Sequence, residues 1–309
     1  MGLSTQAIRQ AEEYIAAQEK TRSGFVIIKD GKLVYESYAQ TGYNTTAHDG
    51  FSMTKTLGAM IVLRAATLGQ LDIDADITAK YGVKSPKSYP VTSRQIMAQA
   101  LDGNRAPGQS FAYDAFGTKW INHLPNVVAA ATKSTAEALF NELSAAMGLS
   151  SAFKWPLVNS KWNGESFGTC RDYARFGQLI LNKGAWKGQS KELISPALME
   201  QLSTPQKFGT YSYSNPCYGL LTWLNTDKST YPGCCKHAFP NIKPDCGNAQ
   251  FLPGAPTDIS MLLGMNGEVT LIMPSQNAVV VSMGKTPSPH EVVRSVYKGV
   301  CKVFGTPCQ

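Results

Sequence analysis

Long apolar runs are absent from this sequence. No segment reaches the roughly 18 uninterrupted apolar residues that a membrane-spanning helix needs, and the apolar run 57–68 is interrupted by Arg64. We therefore expect no membrane span. The first residues, MGLSTQAIRQ, also lack the apolar core of a signal peptide, which fits either a chain without a signal or a mature chain that has lost one.

Clusters of basic residues are absent as well. The net charge is +7, but Lys and Arg are scattered along the chain, as is typical of a solvated surface. We therefore expect no nucleic-acid partner. Histidine is scarce, and the four residues are His48, His123, His237 and His290. Because no Gly-x-Ser-x-Gly turn accompanies them, we expect structural or surface roles for most of them.

Cysteine is concentrated in the last third of the chain. Six of the seven lie there: Cys217, Cys234, Cys235, Cys246, Cys301 and Cys308. Three of them lie within an irregular Pro- and Gly-rich stretch, 232–256, which favours disulfides and a secreted or extracytoplasmic protein. Free buried thiols are one alternative. Another is a zinc site made of Cys234, Cys235, His237 and Cys246, although adjacent cysteines rarely bind one tetrahedral ion.

Hydrophobic periodicity predicts the order of the helices and strands. Helices are predicted over residues 5–20, 52–68, 171–183 and 290–304. Strands are predicted over residues 24–39, 218–225 and 259–284, with hairpin turns at Asp30-Gly31 and at 274–277. The remainder of the middle of the chain, from about 70 to 200, has a helical pattern with loops.

This order predicts an α+β fold. We expect an antiparallel β-sheet built from both ends of the chain and flanked by N- and C-terminal helices, with an inserted all-helical lobe. Residues 1–50 and 205–309 would form the discontinuous sheet lobe, and residues 51–204 the mainly helical lobe.

The string FSMTK, residues 51–55, places a serine and a lysine at the start of the predicted helix 52–68. Side chains three residues apart are neighbours across one helical turn. The unpaired N–H groups of a helix N-terminus can stabilise an oxyanion, and burial would favour the neutral, basic form of Lys55. Ser52 is therefore a candidate nucleophile with Lys55 as its base. The alternative is a helix-capping serine beside a solvated lysine.

Four sequence elements occur in an order that resembles the serine β-lactamase-like superfamily, especially its esterase and oligomer-amidase branches. They are the Ser-x-x-Lys helix after a hairpin, PGQSFAY at 107–113, GTCRDYARFG at 168–177 and GMNGE at 264–268. In the family the tyrosine of the Pro-Gly-x-x-Phe-x-Tyr element shuttles a proton, which implies that role for Tyr113. A competing string, YSN at 213–215, lies much further from the serine than the family pattern allows.

The resemblance also implies how the remaining groups act. Ser52 would attack a carbonyl and form an acyl-enzyme that water releases. The substrate-binding strand would contain Asn266, Gly267 and Glu268. The backbone N–H groups of Ser52 and Glu268 would form the oxyanion hole.

Two departures from the family pattern restrict the substrate. Met265 stands where β-lactamases carry the lysine of Lys-Thr-Gly, and Ala115 replaces the asparagine of the tyrosine motif. Both losses argue against β-lactams. The string KTP at residues 285–287 superficially resembles Lys-Thr-Gly, but its proline would block the backbone approach that an edge strand needs. We predict that Met265, Asp114 and His290 line the cleft.

The sequence therefore predicts a serine hydrolase that acts on a small ester or amide, with little or no β-lactamase activity. An acyltransferase that uses an alcohol or amine acceptor is the alternative within the same chemistry. A catalytically idle binding or scaffold relative is the alternative of another class, although the joint presence of Ser52, Lys55 and Tyr113 argues against it. We expect no metal and no cofactor.

Overall fold

The structure of the protein, a computed structural model, describes residues 3–18, 22–84, 90–102, 104–113, 119–157, 162–211, 213–227, 229–233, 235–236, 250–284 and 289–308, the last range without the side chains of 289 and 290. The helices named below are α1 (Thr5–Gln18), α2 (Met53–Thr67), α3 (Ile77–Tyr81), α4 (Ser93–Met97), α5 (Leu124–Thr132), α6 (Ala136–Met147), α7 (Cys170–Leu181), α8 (Pro196–Leu202) and α9 (Pro289–Phe304). The strands are β1 (Gly24–Lys29), β2 (Lys32–Tyr38), β3 (His48–Asp49), β4 (Phe167–Gly168), β5 (Trp223–Leu224), β6 (Ser260–Leu263), β7 (Val269–Met273) and β8 (Ala278–Met283).

Six of these strands form an antiparallel sheet in the order β2–β1–β8–β7–β6–β5. The sheet joins the two ends of the chain, because β1 pairs with β8 from Gly24↔Met283 to Lys29↔Ala278. Asp30 and Gly31 both adopt positive φ angles of 51° and 70° in the first hairpin, as a tight hairpin turn requires. The predicted α+β class and the antiparallel sheet are confirmed.

Alternate residues of the central strands point into two separate hydrophobic cores, as the period of two in a strand requires. On one face, Val279 and Val281 pack with α2 and α7. On the other face, Val280 packs with the terminal helices α1 and α9. Helix α2 has twelve of its fifteen residues buried, so it lies inside the protein rather than on its surface.

Two parts of the predicted strand pattern are wrong. Only Trp223–Leu224 of the run 218–225 forms a strand, because Leu221 has a φ of 54° and Tyr218 bridges back to Trp223. The short pair β3 and β4 was not predicted, since strands of two residues carry no periodicity.

Two disulfides join Cys217 to Cys235 and Cys301 to Cys308. Cys170 is a buried free thiol, and burial raises its pKa to about 12. The other members of the alternative zinc site lie outside the described residues, but Cys235 is already bonded to Cys217. In the part of the chain that the structure describes, no helix is both long and apolar enough to cross a membrane.

We predict that Asp172 is a principal stabilising residue of the helical region. Its carboxylate is fully buried and accepts hydrogen bonds from Ser150 and Thr169, two from each, at 2.7–2.9 Å. Asp172→Ala should lower the free energy of unfolding by about 3 kcal/mol, because buried donors lose their acceptor. Urea denaturation measures this. Glu192→Ala, at an exposed carboxylate, is the control, and equal stability of the two variants would contradict the prediction.

Candidate active site

The N-terminus of α2 is held in a tight turn. Ser52 occupies the N-cap position, and Phe51 before it has a φ of 45°, a conformation that bulky residues rarely adopt. The preceding Gly50 is required here because a Cβ would lie 2.1 Å from the Tyr173 hydroxyl oxygen. Such local strain is common at functional sites.

Ser52 and Lys55 form a direct pair. The Lys55 Nζ donates a hydrogen bond of 2.7 Å to the Ser52 Oγ and a second of 2.8 Å to the Asn163 carbonyl oxygen. Lys55 is only 3% exposed, so it is not a solvated side chain. The Ser52 side chain makes no capping hydrogen bond to α2. These contacts differ from those expected of a helix-capping serine beside a solvated lysine.

The segment that supplies the Asn163 carbonyl is anchored to α2. Thr54 Oγ1 and Ser166 Oγ lie 2.7 Å apart, and the Ser166 N–H donates to Thr54 Oγ1 at 3.1 Å. Tyr173 on α7 donates its hydroxyl to the Ser166 carbonyl at 3.0 Å. Asn163 could not be predicted from the sequence, because it contributes a backbone carbonyl that any residue could supply.

Tyr113 lies beside the Ser–Lys pair. The Lys55 Nζ is 4.9 Å from the centroid of its ring, a cation–π distance. Behind it the ring packs on Trp223 at 5.3 Å and on Tyr218 at 6.2 Å between centroids. The competing Tyr213 packs instead on Tyr231 at 5.3 Å.

The side chain of Asn215, in the competing YSN string, forms hydrogen bonds with the surrounding backbone. Its amide donates to the Lys236 carbonyl and accepts from the N–H groups of Cys217 and Lys236. Asn215 therefore supports the chain on both sides of the disulfide between Cys217 and Cys235.

The segment 264–268 differs from the expected edge strand. Residues 265–267 form the turn between β6 and β7, because the Gly264 N–H donates to the Glu268 carbonyl and the Asn266 N–H to the Glu268 carboxylate. A Cβ on Gly264 would lie 2.9 Å from the Gly50 carbonyl oxygen, so this turn touches the chain two residues before Ser52.

The backbone N–H groups of two residues near this contact lack hydrogen-bond acceptors in the part of the chain that the structure describes. Among the described residues, neither the Ser52 N–H nor the Met265 N–H has a hydrogen-bond acceptor. The Met265 side chain is 56% exposed. Asp114, Ala115, residues 285–287 and the side chain of His290 lie outside the described residues.

A cleft of about 790 Å³ adjoins the turn and is lined in part by Phe51, Asn266 and Glu268. Burial raises the pKa of the Asp49 carboxyl and lowers the pKa of the His48 imidazole in its wall. Both shifts favour the uncharged forms. In the described part of the chain, no cluster of His, Cys, Asp and Glu side chains could hold a metal ion.

The site thus combines a Ser–Lys pair whose lysine is buried, an adjacent tyrosine and two backbone N–H groups that have no acceptor among the described residues. The Beta-lactamase family model matches residues 8–291. The chain belongs to the β-lactamase family. No curated protein matches the sequence.

Several solved structures have the same fold. A candidate β-lactamase from Bacteroides dorei superposes with a TM-score of 0.73 at 14% identity, covering 99% of this chain and 100% of the other. A candidate 6-aminohexanoate-dimer hydrolase from Bacillus anthracis gives 0.68 at 18% identity, covering 96% and 82%. EstA from Arthrobacter nitroguajacolicus gives 0.67 at 12% identity, covering 96% of each chain.

We predict that Gly264 is needed for the close approach of the β6–β7 turn to the serine. Gly264→Ala would place a Cβ 2.8 Å from the Glu268 Cβ as well as against Gly50, and so displace the turn. Because small displacements of reacting groups are costly, Ser52 should react about a hundredfold more slowly with a fluorophosphonate probe. Gly164→Ala is the matched control, since a Cβ there meets no atom within 4 Å. Unchanged reactivity of Gly264→Ala would contradict the prediction.

Proposed function

We propose that this β-lactamase family member is a serine hydrolase that cleaves small esters or amides through an acyl-enzyme on Ser52. The observation that carries the proposal is the 2.7 Å hydrogen bond between the buried Lys55 Nζ and the Ser52 Oγ at the N-terminus of α2. A lysine in this position, once neutral, can accept the serine proton as the hydroxyl attacks.

The reaction follows from the positions of three side chains. Lys55 takes the proton of the Ser52 hydroxyl, and the Ser52 oxygen bonds to the substrate carbonyl carbon. The bond to the leaving alcohol or amine then breaks, and Tyr113 passes a proton to the leaving oxygen or nitrogen. Tyr113 regains its proton from Lys55, which is then neutral again. In the second step water loses a proton to Lys55 and attacks the acyl carbon, and that proton passes to the Ser52 oxygen as the acid is released.

The oxyanion hole is proposed to combine the backbone N–H groups of Ser52 and Met265. Both are free of acceptors among the described residues, and they belong to segments that meet at Gly264 and Gly50. The sequence pointed instead to the Glu268 N–H. Glu268 lies opposite Gly264 at the end of the β6–β7 ladder, so Met265 is the better-placed donor.

The turn around Met265 also bears on the substrate. Met265 is exposed and stands where β-lactamases carry the lysine of Lys-Thr-Gly. The site therefore lacks the positive charge that would bind a substrate carboxylate at this position. The designated substrate of the Bacillus anthracis relative, a 6-aminohexanoate dimer, is joined by an amide, which agrees with an ester or amide substrate here. The disulfides support an extracytoplasmic location.

Replacing the nucleophile or its base should abolish reaction with serine-directed probes. We expect Ser52→Ala and Lys55→Met to reduce fluorophosphonate labelling and p-nitrophenyl acetate hydrolysis at least about a thousandfold. Mass spectrometry of the labelled peptide locates the adduct. Ser275→Ala, at an exposed serine on the far hairpin, should react like the wild type. A wild type that neither labels nor turns over would favour the idle scaffold.

Substrate preference separates this protein from β-lactamases of the same fold. We expect kcat/KM for p-nitrophenyl acetate to exceed that for nitrocefin by about a hundredfold or more, because the cation that would bind the carboxylate of a β-lactam is missing at Met265. Efficient nitrocefin hydrolysis would contradict the substrate argument. Faster release of p-nitrophenol with an added alcohol, together with formation of the transesterified product, would identify an acyltransferase.

A further inference from the structure

Gly58 is an unusual residue for the interior of α2. Glycine destabilises the middle of a helix relative to alanine, because it loses more backbone freedom on folding. Gly58 is nonetheless buried, three residues after Lys55 and so on the same face of the helix. A Cβ added to it would lie 2.9 Å from Cε3 of the Trp162 ring. The glycine therefore allows the ring to approach the helix more closely than any larger residue would permit.

Trp162 occupies the space that the glycine leaves. It has no exposed surface, and its ring lies 5.7 Å from the Trp155 ring, which in turn packs edge-on against Phe140 at 5.4 Å between centroids. The indole N–H has no hydrogen-bond acceptor among the described residues, so within that part of the chain the ring is held by packing. Because protein interiors are close-packed, such a ring cannot shift without displacing its neighbours.

Asn163, the residue after this tryptophan, lies between two contacts with α2. On one side Ser166 is hydrogen-bonded to Thr54, one residue before Lys55 on the helix. On the other side the tryptophan ring packs on the helix three residues after Lys55. Between them the Asn163 carbonyl oxygen accepts the hydrogen bond of 2.8 Å from Lys55 Nζ. The carbonyl is therefore fixed to the same helix that carries the lysine, from both directions along the chain.

The position of this carbonyl matters because the lysine side chain is long and flexible. Two hydrogen bonds fix its Nζ, one of 2.7 Å to Ser52 Oγ and one of 2.8 Å to the Asn163 carbonyl oxygen. A carbonyl that moved away would either draw Nζ from the serine or leave it with a single partner. A base must lie within hydrogen-bond reach of the proton that it accepts. The rate of proton transfer from Ser52 therefore depends on where the Asn163 carbonyl is held.

We propose that Trp162, packed on Gly58, is a positioning residue that holds the Asn163 carbonyl, and through it the Lys55 Nζ, in place for proton transfer from Ser52. The inference rests on the proposed function, in which Lys55 is the base. Because Trp162 has no exposed surface, it acts without touching the substrate. A change at this contact should therefore alter the rate at which Ser52 reacts and leave the affinity for the reagent unchanged.

A pair of compensating variants tests this. Gly58→Ala would push the ring away from α2 and the neighbouring carbonyl with it, so the maximal rate of fluorophosphonate labelling should fall about thirtyfold. The probe concentration that gives half of this rate should not change. Trp162→Phe lacks Cε3 and so leaves room for the added methyl group; alone it should slow labelling only about threefold, since the ring packs more loosely. The double variant should return to within about threefold of the wild-type rate, because the two changes compensate each other.

Gly299→Ala is the matched control for overpacking. Gly299 lies in α9, where a Cβ would meet Cγ1 of Ile15 at 2.7 Å in the other hydrophobic core. This variant should lower Tm, as overpacking does, yet label at the wild-type rate. Equal slowing by Gly299→Ala would identify a general effect of overpacking and overturn the positioning role.

The remaining outcomes separate this inference from the proposed function. Wild-type labelling by Gly58→Ala, or a double variant no faster than Gly58→Ala, would overturn the positioning role. If Gly58→Ala does not fold, the labelling rate of Trp162→Phe decides alone, and a rate equal to that of the wild type would overturn the role. Absence of labelling in the wild type would overturn the proposed function instead.

Discussion

The site depends on the burial of one ammonium group, that of Lys55. A lysine with 3% exposure needs partners for its donors, and these are the Ser52 hydroxyl and the Asn163 carbonyl. The first partner is fixed by the helix, because residues three apart are neighbours. The second comes from a segment more than a hundred residues away, so both partners of Lys55 are in place only when that segment has packed against α2.

The remaining contacts keep that distant segment and the sheet in place against α2. Ser166 is bonded both to Thr54 on α2 and to Tyr173 on α7, and α7 packs directly on the sheet through Gly177, where a Cβ would lie 2.6 Å from Val279. The glycine therefore sets the distance between helix and sheet. Because the β6–β7 turn is part of the same sheet, this distance also sets where the two free N–H groups lie relative to each other.

Sequence reasoning succeeded where a single segment carries a strong local signal. The turn at Asp30-Gly31 and the apolar helix after Ser52 are of that kind, and both are present in the structure. It failed for the run 218–225, since continuous burial looks like a strand whether or not the backbone is extended. The pairing of β3 with β4 and the carbonyl of Asn163 depend only on tertiary structure. The division into lobes and the roles of the site residues stay predictions.

The aromatic residues behind Tyr113 show why an ambiguous sequence signal can still be functional. Tyr218 and Trp223 have the composition of ordinary core residues, and their burial agrees with that. What distinguishes them is their position: the Tyr113 ring packs on Trp223 at 5.3 Å and on Tyr218 at 6.2 Å between centroids, on the far side from Lys55. Close aromatic packing of this kind restricts the movement of a ring, and the proton transfer proposed for Tyr113 would need its hydroxyl to be held still.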